Sequence, residues 1–346
     1  MNSILIKTNA SETIGFGHLR RCITLANALC AFGDSVGFVI NDDQEAILLL
    51  KQEQFTYYIV TSQDDQNFVE TKSVINKSKA VVLIVDSYNI NLEAFSRLSV
   101  PCVYMDDFGL QSDYIDIILN PSIEGQPNGK GHTNYLYGPK YVLLRESFQH
   151  AEVKEINTTV RRVLITMGGG DKDNWTSKFL VWANEINPNI QFSVVIGPFF
   201  AKPVIKAIEL VAKKLGNVML HYSPKNIGLL MAEADMAISA GGQTLFEMAA
   251  LGLPAIVVAL VENQQLNVNL LNDKGVIASI GKITDVSLQE SFVNHYNLML
   301  SDQHCRQAMS LAGMRVVDGK GAKRVANKIY ELGKVHKQQG VRCETN

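Results

Sequence analysis

The chain lacks any apolar run approaching the ~18 residues that a membrane-spanning helix needs, so no stable membrane insertion is expected. It also lacks the basic, apolar, small-residue succession of a secretory leader. Residues 1–10, MNSILIKTNA, run straight into a short strand pattern. Cysteine is sparse: Cys22, Cys30, Cys102, Cys305 and Cys343 are odd in number and contain no Cys-x-x-Cys pair. That argues against a disulfide framework or a zinc site, and fits free thiols in a reducing cytoplasm. The seven histidines are scattered with no His-Glu-x-x-His pair, so neither a metal nor another cofactor is expected. No sign of charge is in excess either. A formal net charge of −2 lacks the basic footprint of a nucleic-acid binder.

What is present is an ordinary core-forming composition, 47% hydrophobic and 19% charged over 346 residues, enough for two domains. Short β-branched runs alternate with longer helical patterns. Ser3–Thr8, Ser35–Ile40, Tyr57–Val60, Ala80–Val85 and Cys102–Met105 read as strands, and His18–Phe32 and Asn91–Leu98 as helices. Val81–Val85 is apolar throughout, as in a parallel strand covered on both faces. Residues 121–135 read as a loop. A polar stretch at 149–160 precedes a fresh strand, Arg162–Thr166, and the alternation resumes with strands at Phe192–Ile196, Val218–His221, Met236–Ile238 and Ala255–Val258. The expected fold class is therefore α/β, with two Rossmann-like doubly wound domains. Their spans are 1–150 and 151–335, followed by a polar tail at 336–346. The chain is expected to act in the cytoplasm as a monomer.

In open α/β sheets ligands bind outside the carboxyl ends of the strands, so the loops there hold the candidate residues. After the first strand, Gly15 and Gly17 permit a tight turn, and His18 opens a helix facing the strand ends. A histidine so placed is either a general base or a half-buried loop cap. Asp86 and Tyr88 end the long apolar strand and either face a ligand or form a capped turn. Asp106 and Asp107 follow the next strand. Adjacent carboxylates point in different directions, which favours structural roles. Gly168, Gly169 and Gly170 leave uncrowded backbone N–H groups of the kind an anionic phosphate uses. Ser239-Ala240-Gly241-Gly242-Gln243-Thr244 ends a strand in small residues and starts a helix, with Glu247 one turn in, able to accept from ribose hydroxyls. Glu262-Asn263-Gln264-Gln265-Leu266-Asn267 follows the next strand.

These motifs, taken in order, resemble the PseG/SpsG family of UDP-sugar hydrolases, which is similar to MurG and shares its GT-B architecture of two domains facing a central cleft. Gly15-Phe16-Gly17-His18-Leu19-Arg20-Arg21 looks like the family's G-x-G-H-x-x-R signature, and Asp86-Ser87-Tyr88 like its D-x-Y segment. Ser239–Glu247 resembles S-A-G-G-x-T-x-x-E, and Asp318–Val325 resembles D-G-x-G-x-x-R-V near the C-terminus. The family commonly reads M-G-G-[ST]-D where Gly170 replaces the hydroxyl residue. The resemblance implies a metal-independent hydrolase with His18 as the base that activates water. Its substrate would be a UDP-linked diacetamido-trideoxy sugar of pseudaminic acid biosynthesis. It implies substrate contacts at Gly15, Gly17, Arg20, Asp86, Tyr88, Gly168, Gly169, Gly170, Ser239, Gly241, Gly242, Gln243, Thr244, Glu247, Asn263, Gln264 and Asn267. A glycosyltransferase using the same donor, and a non-catalytic nucleotide-sugar sensor, stand as alternatives.

Overall fold

The computed structural model describes residues 2–10, 16–61, 65–125, 132–149 and 154–344, with side chains to residue 338. The chain forms two compact units, Met1–Arg145 with Lys320–Asn346, and Glu146–Gly319.

In the first unit the elements run β1 (Ser3–Thr8), α1 (Gly17–Ala31), β2 (Ser35–Asn41), α2 (Gln44–Gln52), β3 (Thr56–Val60), α3 (Val69–Ser78) and β4 (Val82–Asp86). Then come β5 (Cys102–Met105), β6 (Ile117–Asn120) and β7 (Asn134–Tyr137). All pairings are parallel and the order is β3-β2-β1-β4-β5-β6-β7. The strand order reverses between β1 and β4, where a doubly wound sheet opens a crevice at its carboxyl edge. Every residue of β4 is buried, as its unbroken apolar run requires. Gly33, at φ +87°, ends α1 in the left-handed conformation that glycine adopts without strain.

The second unit contains β8 (Arg162–Thr166), α4 (Trp175–Ile186), β9 (Gln191–Ile196), α5 (Lys202–Leu215), β10 (Val218–Tyr222), α6 (Ile227–Glu233) and β11 (Met236–Ala240). It continues with α7 (Thr244–Ala250), β12 (Ala255–Ala259), α8 (Gln265–Asp273), β13 (Ala278–Lys282), α9 (Leu288–Ser301) and α10 (Gln303–Val316). Its parallel sheet, β10-β9-β8-β11-β12-β13, reverses between β8 and β11. Phe179, Trp182, Phe292 and Tyr296 form an aromatic cluster joining α4 to α9 beneath one face of that sheet.

Three features depart from the sequence reading. Helices α2 and α3 and strands β6, β7 and β13 were not expected, and Asn91–Leu98 is only a 3-10 turn at Leu92–Arg97. The last helix, α11 (Gly321–Glu344), groups with the first unit although the sequence reading places residues to 335 in the second. It is helical through residues expected to fray. Packing explains the return: Tyr330 stacks on Phe32 at 5.7 Å, and Gly333 passes close to Asn2 and Val82.

Candidate functional site

At the strand reversal of the first unit, α1 carries His18 and Arg21 three residues apart on one face, and β4 delivers Asp86 beside them. The His18 Nδ1 atom lies 2.6 Å from Asp86 Oδ1. Arg21 Nη2 is also near it, at 3.1 Å. Both arginine and a protonated Nδ1 are donors and a carboxylate only accepts, so the 2.6 Å contact decides the tautomer. Nδ1–H donates to Asp86, and in the neutral ring the lone pair then lies on Nε2. Tyr88 meets the imidazole edge to face, ring centres 4.6 Å apart.

Arg21 joins two carboxylates. Its Nε and Nη2 donate to Asp86 at 2.6 Å each, and its Nη1 and Nη2 donate to Asp107 at 2.8 and 2.9 Å. Tyr88 Oη donates to Asp107 Oδ2 at 2.7 Å, and Cys22 Sγ donates to Asp86 at 3.4 Å. Burial would raise the Asp86 carboxyl, but Arg21 and His18 outweigh it and hold the group well below the ordinary carboxylate range. Asp107 is also lowered, burial again being outweighed by Arg21. Asp106 does other work. It accepts from the backbone N–H groups of Phe108, Gly109 and Leu110 and from Asn120, fixing the loop after β5.

Several expectations change here. Asp86 is 1% exposed, and both its oxygens are engaged by His18, Arg21 and Cys22. Arg20 is exposed and stays outside the cluster, whereas its neighbour Arg21 enters it because the helical period puts Arg21 on the face of His18. Tyr88 remains half exposed beside the imidazole. Gly17 starts α1 with open space where a side chain would stand, and Gly15 lies outside the described residues. Neither Arg21 nor Asp107 was singled out as a binding residue from sequence. Only strand order brings residues 21, 86 and 107 together.

In the second unit, two glycine loops flank the strand reversal, and the structure treats them differently. Gly168–Gly170 packs against the loop after β9: Phe199 N–H donates to Gly169 at 2.9 Å, and a side chain on Gly197 would collide with the carbonyls of Gly168 and Gly169. The following helix is already capped, because buried Asp171 accepts from Trp175 N–H and Thr176 N–H at 2.8 and 2.7 Å. A carboxylate in that position occupies the donors that an anion would need. Packing demands a glycine at Gly197, and Gly168 is needed for its φ of +82°. A Cβ on Gly170 would make only ordinary contact with Phe199, so the missing hydroxyl of the family pattern is not a steric exclusion.

The loop after β11 is built otherwise. Gly241 leaves no room for a side chain, its Cβ falling 2.5 Å from Val268 and 3.0 Å from Gln264. The Gln264 Oε1 atom accepts from Gly241 N–H at 3.2 Å and Leu260 N–H at 2.9 Å, tying this loop to the one after β12. Its Nε2 then faces Gly242, 3.9 Å from where a Cβ there would be. Asn267 donates to the Gly241 carbonyl at 3.2 Å. Ser239 is buried and turned to its own strand, donating to Ala240. Gln243 and Asn263 are exposed, and Thr244 and Glu247 are partly exposed on the first turn of α7. Gln264, Asn267 and Gly241 therefore form one assembly, with Gln243, Thr244, Glu247 and Asn263 on its accessible side.

Among the described residues no cluster of three or more His, Cys, Asp or Glu could hold a metal ion, and no helix is long and apolar enough to cross a membrane. Residues 163–319 match the model of the Glycosyltransferase family 28 C-terminal domain. The spore coat polysaccharide biosynthesis protein SpsG of Bacillus subtilis is 26% identical over 334 residues, covering 92% of this chain and 95% of that protein. The UDP-2,4-diacetamido-2,4,6-trideoxy-beta-L-altropyranose hydrolase of Campylobacter jejuni is 25% identical over 281 residues, covering 79% of this chain and 97% of that protein. An uncharacterized protein of Methanocaldococcus jannaschii is 26% identical over 278 residues, and the match takes in 76% of this chain and 56% of that protein's length. Among solved structures, MurG of Acinetobacter baumannii superposes with a TM-score of 0.68 at 15% identity, over 96% of this chain and 100% of that one. The chain is thus a homologue, at 24–26% identity, of proteins that include SpsG and the Campylobacter hydrolase, and its two parallel-sheet units have the MurG-like GT-B fold.

Proposed function

We propose that the protein hydrolyses a UDP-linked sugar, with His18 as the base that activates water. The carrying observation is the orientation of the imidazole: Asp86 takes the Nδ1–H at 2.6 Å and leaves Nε2 as acceptor. In the step, water gives a proton to Nε2 while its oxygen bonds to the anomeric carbon. The bond from that carbon to the β-phosphate oxygen breaks, and its electron pair leaves with UDP.

The nucleotide end of the substrate falls to the loop after β11. Backbone amides at Gly242 and Gln243 and the Gln264 amide suit the diphosphate, and Glu247 suits the ribose hydroxyls. The sugar is read as a diacetamido-trideoxy hexose, UDP-2,4-diacetamido-2,4,6-trideoxy-β-L-altrose. The names of the Campylobacter and Helicobacter pylori relatives support that choice. The proposed enzyme acts without a metal, as a cytoplasmic monomer in pseudaminic acid biosynthesis. The test is incubation with that UDP-sugar and no acceptor, following UDP and free sugar together. Stoichiometric release of both is expected; absence of release in that assay rejects the proposal.

A second reading is a glycosyltransferase on the same donor, favoured by the family 28 domain match and the likeness to MurG. That enzyme would release little UDP until an acceptor is supplied.

A further inference from the structure

A carboxylate 2.6 Å from an imidazole orients it, but also favours its protonated form, and a ring already protonated cannot serve as a base. The structure holds a counterweight. One edge of the Arg21 guanidinium, Nε and Nη2, grips Asp86, and another, Nη1 and the shared Nη2, grips Asp107. A planar fork can hold two carboxylates this way, whereas a lysine ammonium cannot. The groups facing His18 are few among the described residues. From α1 come Arg21 and Cys22, from β4 and its loop Asp86 and Tyr88, and from the segment after β5 Asp107. Asp106 is turned to backbone amides, and the Tyr104 hydroxyl donates to Ser87. Burial pushes the Cys22 thiol well up and Tyr104 up to about 12, so neither adds charge near neutral pH. Among the described residues, the charged groups of this cluster are Asp86 (negative), Arg21 (positive) and Asp107 (negative).

We propose that Arg21 is a positioning residue that offsets the charge of Asp86, so that Asp86 orients His18 without drawing a proton onto it, and that Asp107 sets how much of the Arg21 charge is available. This rests on the reading of His18 as a base and adds the device that keeps it neutral. The two neighbours have opposite signs of effect. Removing the Arg21 charge leaves two carboxylates acting on His18, so the imidazolium persists to higher pH. Removing the Asp107 charge leaves Arg21 to Asp86 alone, so the imidazolium is lost at lower pH. A brace that only maintained the fold would not give opposite shifts.

The experiment is a titration of the full-length protein labelled with ¹⁵N-histidine, without substrate, the His18 resonance being identified by its loss in His18→Ala. Arg21→Gln should raise the midpoint by about 1 pH unit or more, and Asp107→Asn should lower it. Arg21→Lys keeps a positive charge but not the fork, and should titrate closer to the wild type than Arg21→Gln does. Midpoints that do not move, or that move the same way in Arg21→Gln and Asp107→Asn, overturn the proposal. If Arg21→Gln does not fold, Asp107→Asn still decides, since an unmoved or raised midpoint there contradicts it. The titration needs no turnover. A wild-type protein that releases no UDP would therefore count against the function and leave this reading to be judged on its own.

Discussion

The Nδ1–H of His18 is given to the Asp86 carboxylate across 2.6 Å, joining the first turn of α1 to the last residue of β4, 68 positions along the chain. Two consequences can be separated by mutation. His18→Ala removes the proton acceptor and should lower kcat for UDP release by ~10²–10⁴-fold with little change in UDP affinity. Asp86→Asn keeps the volume but can donate its amide to Nδ1, which turns the ring into the other tautomer with Nε2 protonated. Its kcat should fall by a comparable factor. Steady-state kinetics with UDP calorimetry checks both, and an Asp86→Asn enzyme at wild-type kcat would exclude the tautomer argument.

The same carboxylates make stability depend on pH. Asp86 is buried and Asp107 half-buried, which alone would raise them, but Arg21 lowers both below the ordinary value of 3.8. A group lowered in the folded state stabilises fully above its unfolded value, and that contribution is lost as pH falls through the folded value. Thermal melts should therefore show stability declining from about pH 4 downward. In Asp107→Asn the decline should be shallower, and the protein should be less stable at pH 7 by about 1–3 kcal/mol, because the buried guanidinium loses one charged partner.

The glycine-rich loop after β8 packs against the loop after β9, and Gly197 tests that contact. A side chain at Gly197 meets backbone carbonyls of Gly168 and Gly169, which cannot rotate away. Gly197→Ala should cost at least about 1–3 kcal/mol in chemical denaturation, in the range of overpacked sites. Gly170→Ser, by contrast, places its Cβ at 3.6–3.7 Å from Phe199 and should leave stability nearly unchanged. If Gly197→Ala were neutral in the same denaturation series, the tight contact would be wrong.

Much of the fold was legible because its central strands are unbroken apolar runs. Ser3–Thr8 and Cys102–Met105 agree with the sequence reading residue for residue. Strand β6 is a buried four-residue run, Ile117–Asn120, too short to declare a period, and α3 is entered through Phe68 in a left-handed conformation, its first-turn N–H groups at Glu70 and Thr71 held by Asp65 from outside the helix. The site was legible as far as local motifs reach: His18 behind its glycine turn, and Ser239–Glu247 at a strand end. Arg21, Asp107 and Asp171 were not, because each acts through a partner chosen by strand order or by a cap. Arg20 and Arg21 are adjacent and chemically alike, and only the register of α1 against β4 distinguishes them.

Gln264 allows the nucleotide reading to be tested without disturbing the fold. Its Oε1 holds two backbone N–H groups, from Gly241 and Leu260, and its Nε2 faces Gly242. Gln264→Glu is isosteric: one carboxylate oxygen can accept the same two hydrogen bonds, and the other replaces a donor by a negative charge. If the glutamine only ties two loops together, UDP affinity and melting temperature should both stay near those of the wild type. If the amide faces the diphosphate, the melting temperature stays while the dissociation constant for UDP rises at least about tenfold. That is the order expected when a hydrogen bond worth about 1.5–3 kcal/mol to a charged group is replaced by repulsion. We expect the second outcome. The difference should shrink as salt rises, because an accessible charge pair is screened within about 8 Å at physiological ionic strength.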